Sequence, residues 1–276
     1  MITSTAVAIA ESRIGKTGES IYSGRSRAVL QRSYLAFRSS AWIVVLTGFL
    51  EPVLYLFSFG YGVGKLIGDI QIAPNHFVSY AAFIAPALLA TSAMNGAIYD
   101  ATWNVFFKMK FDRVYQGMLA TSLGPLDVAL GEIGWALLRG VVYSIAFMSI
   151  VGGLGLITTP WALLAIPAAS LIAFGFAAVG MAVTTYLKSF EQMNIINVVL
   201  LPMFLFSGSF YPLTVYPGLL QAFIKALPLW HGIILIRSVS LGLISPSLIP
   251  HVIYFLIMIV LGLFFTTRRL TNLFMR

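Results

Sequence analysis

The chain has 276 residues, 59% of them hydrophobic and 9% charged, with a formal net charge of +8 and a mean hydropathy of +0.92. A soluble globule carries about 25% charged residues, so this composition excludes one and calls for a chain solvated largely by lipid. With no cysteine, disulfides, thiol nucleophiles and thiolate metal sites are excluded too.

Met1 to Ser39 lacks the apolar core that follows the basic start of a signal peptide, so this segment is expected in the cytoplasm. Residues 1–20 are small and polar and read as a disordered tail. Leu30, Tyr34, Phe37 and Ala41 recur at helical spacing with Arg25 and Arg32 opposite, which fits an interfacial amphipathic helix or a solvated basic tail. Gly15-Lys16-Thr17 looks like the end of a phosphate loop, but Ala10 stands where the earlier glycine is needed and no strand precedes it. No ATP site is expected in this chain.

A crossing helix needs ~20 apolar residues. Six stretches qualify: 41–63, 77–106, 126–153, 161–186, 193–211 and 248–267. Six of the 17 Lys and Arg precede the first, and Lys108, Lys110, Arg113, Lys188, Arg268, Arg269 and Arg276 fall on the same side. That one-sided basic charge is a topology signal and not a nucleic-acid surface. It predicts an all-α membrane protein with six transmembrane helices, multi-pass in the plasma (inner) membrane, with both termini cytoplasmic. Residues 1–39 form the tail and amphipathic helix, and 40–276 a single transmembrane domain.

Small residues form a stripe at Pro86, Ala90, Ala93, Ala97 and Ala101, and Gly60 and Gly64 make a GxxxG pair. Both fit close helix packing, within the chain or at a dimer seam. Between Pro212 and Ile244, prolines 212, 217 and 228 and Gly232 leave apolar pieces too short to cross. A seventh span there would move Arg268, Arg269 and Arg276 outside, so short re-entrant helices dipping in from the outer face are expected. Phe210, Tyr211, Pro212, Pro228, Trp230 and His231 are their candidate outer-gate residues.

The three histidines, 76, 231 and 251, are singly placed in sequence, without HExxH or a pair one helical turn apart, so no metal site is expected. No GxSxG elbow or paired catalytic carboxylates occur, and no catalytic residue is assigned. Four ionisable residues fall within spans: Glu51, Asp100, Glu132 and Arg139. Such groups face the bundle interior or a wet cavity. Glu132 and Arg139 share a helix face but stand about 10 Å apart along the axis, so Arg139 is expected to meet Glu51 or Asp100, with Glu132 partly hydrated. This set fits a buried ion pair holding helices together, or substrate or proton binding.

The second cytoplasmic loop, 108–119, mixes Lys108, Lys110 and Arg113 with Phe111, Val114, Tyr115, Met118 and Leu119. That composition suits docking onto a partner protein or an interfacial helix lying on lipid.

Taken with Glu51-Pro52-Val53-Leu54-Tyr55-Leu56, Phe59-Gly60-Tyr61-Gly62-Val63-Gly64, Ala120-Thr121-Ser122-Leu123-Gly124-Pro125-Leu126-Asp127 with Gly131-Glu132, Phe206-Ser207-Gly208-Ser209-Phe210-Tyr211-Pro212-Leu213, Leu227-Pro228-Leu229-Trp230-His231 and Ile236-Arg237, the chain resembles the permease subunits of type-two ABC exporters. The resemblance runs over almost the whole chain and is strongest to the nodulation-factor exporter branch. It implies a six-helix permease with an amphipathic helix, a coupling helix in the second cytoplasmic loop and re-entrant helices before the last span. It also implies a second permease, identical or homologous, and two separate ATPase subunits that bind ATP and Mg. The substrate class it implies is a lipid, a lipid-linked glycan or an amphipathic drug. A proton-coupled secondary transporter and an intramembrane lipid-modifying enzyme are the competing functions.

Overall fold

The computed structural model describes residues 21–38, 50–73, 76–157 and 159–274. The N-terminal tail 1–20 and residues 39–49, which include the first nine residues of the predicted span 41–63, lie outside the described residues. Helix α1, Ser26–Phe37, precedes that gap, and residues 50–67 are helical after it, with a π-helical turn at Leu56–Val63. Strands β1, Asp69–Ala73, and β2, His76–Ser79, form an antiparallel hairpin. Helix α2 then runs Tyr80–Lys110. Phe77, the predicted start of that span, belongs to the hairpin instead.

The short helix α3, Val114–Leu119, leads to α4, Pro125–Gly153, and α5, Pro160–Tyr186. Helix α6, Asn194–Phe206, is followed by α7, Gly218–Ala226, and α8, Pro228–Ser240, which meet at a bend of 85°. Helix α9, Ile249–Phe274, ends the described chain and continues past the predicted limit at Thr267. Among the described residues α2, α4, α5 and α9 are long and apolar enough to cross a membrane, and the α7–α8 pair makes a fifth if taken as one bent span. At 13 residues, α6 is shorter than a full crossing.

Helix α2 is the hub. All of Tyr80–Tyr99 except Asn95 and Tyr99 is buried, and α4, α5, α8 and the 50–67 helix pack around it. Small residues make this possible. A side chain at Gly140 of α4 would stand 2.8 Å from Ala173 of α5 and 3.4 Å from the Ala93 carbonyl of α2. The Pro86/Ala90/Ala93/Ala97/Ala101 stripe is therefore spent inside the molecule. So is the glycine pair, because a Cβ added at Gly60 would stand 3.2 Å from the Ala81 side chain and one at Gly64 3.5 Å from Tyr80.

Helix α9 buries a stripe of Phe255, Ile259, Gly262, Thr266 and Leu270 against α5, leaving its other face apolar and exposed as lipid solvation requires. At Gly262 the helices touch backbone to backbone: a Cβ there would come 2.5 Å from the Ala178 carbonyl carbon. Helix α1 lies on α4 through Val29, half-buried Leu30 and Phe37, whose ring meets Trp135 edge-on at 5.2 Å. Tyr34 is exposed, so the seam is rotated from the predicted Leu30/Tyr34/Phe37 face toward Val29 and Ser33.

Candidate functional site

A cavity of about 740 Å³ opens between the 50–67 helix, α2, α4 and α6. The two residues of Tyr80–Tyr99 that escape burial, Asn95 and Tyr99, line it, together with Glu51, Arg139, Tyr143 and Asn197 and the aromatic rings of Tyr55, Trp103 and Phe204. Its size matches sites for drug-sized ligands, and its lining pairs a few polar groups with broad apolar and aromatic surface. Trp103 is braced by Tyr99, stacked at 6.2 Å, and by Phe190, edge-on at 5.4 Å.

A buried ion pair forms part of the cavity wall. Arg139 Nη1 on α4 lies 2.6 Å from Asp100 Oδ1 on α2, and Arg139 Nη2 donates to the Tyr143 hydroxyl at 2.8 Å. Asp100 opens a π-helical turn, Asp100–Asn104, that interrupts the regular winding of α2. The Thr184 hydroxyl of α5 donates to the Ala101 carbonyl within that turn at 3.3 Å, and Asn104 donates to Asp100. Single π-turns of this kind recur at functional sites because they re-aim one side chain without ending the helix. Of the two partners expected for Arg139, Asp100 is the one in place; Glu51 is exposed at the cavity.

About 12 Å further along α2, Lys108 Nζ meets Glu132 Oε2 at 2.6 Å. Glu132 is only 3% exposed, so the expectation of a partly hydrated carboxylate is corrected: Lys108 compensates it instead of water. The same two helices thus carry both ion pairs, one at the cavity and one beside the 108–119 loop.

In that loop the apolar residues do not all face outward. Tyr115 is wholly buried, and Met118 and Leu119 nearly so, whereas Phe111 is exposed and Val114 half-buried. The Tyr115 hydroxyl lies beside the Glu132 carboxylate without a well-formed hydrogen bond, and burial, reinforced by that carboxylate, pushes its phenol well above the ordinary range. The exposed surface is an open groove lined by Met109, Lys110, Arg113, Gln116, Leu273 and Phe274. Arg113, at φ +52°, is the one non-glycine in left-handed backbone among the described residues and makes the tight corner between α2 and α3.

The candidate outer-gate residues fall into two clusters. Phe210 is buried against Phe59 and Phe204, its carbonyl accepting from the Tyr80 hydroxyl at 3.3 Å. Tyr211 is exposed and Pro212 half-buried beside it. Pro228 opens α8, next to Trp230 and His231. His231 Nδ1 stands 2.6 Å from His251 Nδ1, so two histidines read as isolated in sequence are neighbours. No group of three or more potential metal ligands exists among the described residues. Arg237 was missed as a linker between these parts: its guanidinium covers the Phe83 ring at 3.9 Å and donates to the Gly208 carbonyl at 3.0 Å.

Asp127 was also missed. The signal for it lay in Pro125 at the first helical position followed by an acid two residues on, a helix-start pattern. Its carboxylate, fully buried, collects donors from the N-terminal segment 102–104 residues away.

A family model described as ABC-2 type transporter matches residues 25–241. The chain is 32% identical over 252 residues to Nodulation protein J of Rhizobium leguminosarum bv. trifolii, covering 90% of this chain and 94% of that one. It is 33% identical over 215 residues to Nodulation protein J of Sinorhizobium fredii, covering 78% and 80%. It is 27% identical over 190 residues to the inner membrane transport permease YadH of Escherichia coli, covering 67% and 66%.

Proposed function

This chain belongs to the ABC-2 type transporter family, and on that premise we propose that it is the membrane permease of an exporter driven by separate ABC ATPase subunits. Its family is one of transport components and not of enzymes. The amphipathic cavity carries the proposal. It presents amides, an arginine and a carboxylate for a polar head, and aromatic and aliphatic walls for an apolar tail. The substrate class it suits is a lipid, lipid-linked glycan or amphipathic drug leaving the cytoplasm or inner leaflet.

Six crossings are proposed, with 41–63 and 193–211 completing the described long helices, the α7–α8 pair re-entrant from the outer face, and both termini at the cytoplasmic side of the inner membrane. The one-sided Lys and Arg support this orientation. Two permeases and two ATPases, the latter holding ATP and Mg, would form the working assembly. The basic groove of Lys110, Arg113, Gln116, Leu273 and Phe274, with Phe111 beside it, is the proposed ATPase dock, replacing the buried Tyr115, Met118 and Leu119 as contact residues. The two ion pairs on α2 and α4 give that dock a mechanical route to the cavity wall.

The test is to co-purify the chain with the ATPase from its genomic neighbourhood, reconstitute both in vesicles, and measure ATP hydrolysis with fluorescent glycolipids and amphipathic dyes. Association and stimulation by an amphiphile are expected. Absence of any ATPase partner, with proton-driven dye transport by the isolated chain, would instead establish the secondary-transporter reading.

A further inference from the structure

We propose that Asp127 is a positioning residue for coupling: it buckles the strap formed by residues 21–25 onto the start of α4 and so sets the angle of the loop that meets the ATPase. The inference rests on the reading of the chain as an ATP-driven permease. Asp127 Oδ2 accepts from Ser23 N at 2.7 Å, from Ser23 Oγ at 2.8 Å and from Gly124 N at 3.0 Å, while Oδ1 accepts from Arg25 N at 2.8 Å. No cation touches the carboxylate among the described contacts. The Arg25 guanidinium passes it by and donates to Ser122 Oγ. Balance comes from three N–H groups, a hydroxyl and the helix N-terminus, the one end of a helix that favours a negative charge. Leu126 N adds a bond to the Ile21 carbonyl at 3.0 Å.

A helix start could be capped by a local side chain alone. Here the acid reaches across to a distant segment, and that segment continues directly into α1. Val29 then lodges at Gly131, where any Cβ would come 2.4 Å from the Val29 Cβ, and Phe37 ends over the Arg139 guanidinium at 5.3 Å. Strap and α1 therefore form one rod from the connection that follows the 108–119 loop, at Ser122 and Gly124, to the cationic partner in the cavity wall. Releasing the buckle frees the loop and loosens the rod together.

Asp127→Asn keeps the shape but faces an amide N–H₂ toward either the three donors on Oδ2 or the one on Oδ1, so at least the bond from Arg25 N is lost, an N–H₂ is set against a donor, and the negative charge is gone. The chain has no cysteine, which permits a single reporter, Tyr211→Cys, on the exposed segment after α6. The permease–ATPase complex, in phosphatidylethanolamine and phosphatidylglycerol vesicles, is read by maleimide labelling with and without ATP plus vanadate, and by trypsin cleavage after the exposed Arg25 and Arg27.

With Asp127→Asn, complex yield and ATP hydrolysis are expected to persist. Cleavage should accelerate about tenfold as the strap opens locally, and the ATP-driven change in labelling should shrink about fivefold as coupling is lost. Faster cleavage with a wild-type labelling response would overturn the coupling role, and unchanged cleavage would overturn the buckle itself. No ATP response in the wild-type complex would instead overturn the ATP-driven reading and this inference with it. Should Asp127→Asn aggregate, Ser23→Ala, which removes only the hydroxyl donor, carries the same two readouts, with the same outcomes deciding.

Discussion

Arg139 and Asp100 join α4 to α2 across 2.6 Å at the level where α2 departs from regular winding, and both side chains are almost sealed from solvent. Removing one member leaves the other charged and buried, whereas removing both leaves no unpaired buried charge. Asp100→Asn is expected to destabilise the protein by about 3 kcal/mol or more, and Asp100→Asn with Arg139→Met to recover most of that loss. Thermal unfolding of the purified variants measures it, and strictly additive losses would contradict the pairing.

The 108–119 loop separates two nearby aromatics by burial. Tyr115 is wholly enclosed, so Tyr115→Asp is expected to sharply lower the yield of monodisperse protein. Phe111 is 62% exposed, so Phe111→Asp should change fold stability by about 0.5 kcal/mol or less while weakening ATPase association. Gel filtration followed by co-purification distinguishes them. Equal behaviour of the two variants would argue against the dock as drawn.

Gly262 and Gly117 offer a paired test of packing. Gly262→Ala must push apart the backbones of α9 and α5 and is expected to cost about 1–3 kcal/mol. Nothing lies within 4 Å of a Cβ at Gly117 in α3, so Gly117→Ala should be neutral or stabilise by up to about 1 kcal/mol. Melting temperatures of the two variants should therefore move in opposite directions or only the first should fall.

Topology is testable with single cysteines in this cysteine-free chain. Gln71→Cys in the hairpin should react with an impermeant maleimide from outside only, and Asn272→Cys near the end of α9 from inside only. Labelling of both from the same side would rule out the proposed orientation.

The four long helices were legible because apolar length alone demands them. Their ends were less so. Hydropathy counts Phe77 and Val78 like any apolar residues, although backbone pairing with β1 takes them out of the helix. At the other end, Lys108 extends α2 beyond the apolar stretch because Glu132 neutralises it. Spacing within one helix correctly kept Glu132 and Arg139 apart. It could not choose Asp100 as the partner, since that depends on a π-turn that no residue pattern announces. Likewise the mixed composition of 108–119 marked a contact-making segment, while which face turns inward follows from packing against α4. The helix-start pattern at Pro125 marks Asp127 as a local cap for Gly124, but its partners Ser23 and Arg25, like the pairing of His231 with His251, come from segments distant in the chain and leave no trace in the neighbouring sequence.

The backbone contact at Gly262 and Ala178 has a kinetic corollary. Two helices meshed without intervening side chains resist sliding, so α5 and α9 should travel as one stiff plate. The plate backs α2 and α4, and across the cavity from these two α6 buries only Met203 of its 13 residues. Motion that widens or narrows the cavity must then be borne by the lightly held wall, and amide exchange should run fastest in α6 and slowest along the α5–α9 seam. Helices α2 and α4, backed by the plate, are the fixed jaw, and α6 is the jaw that moves.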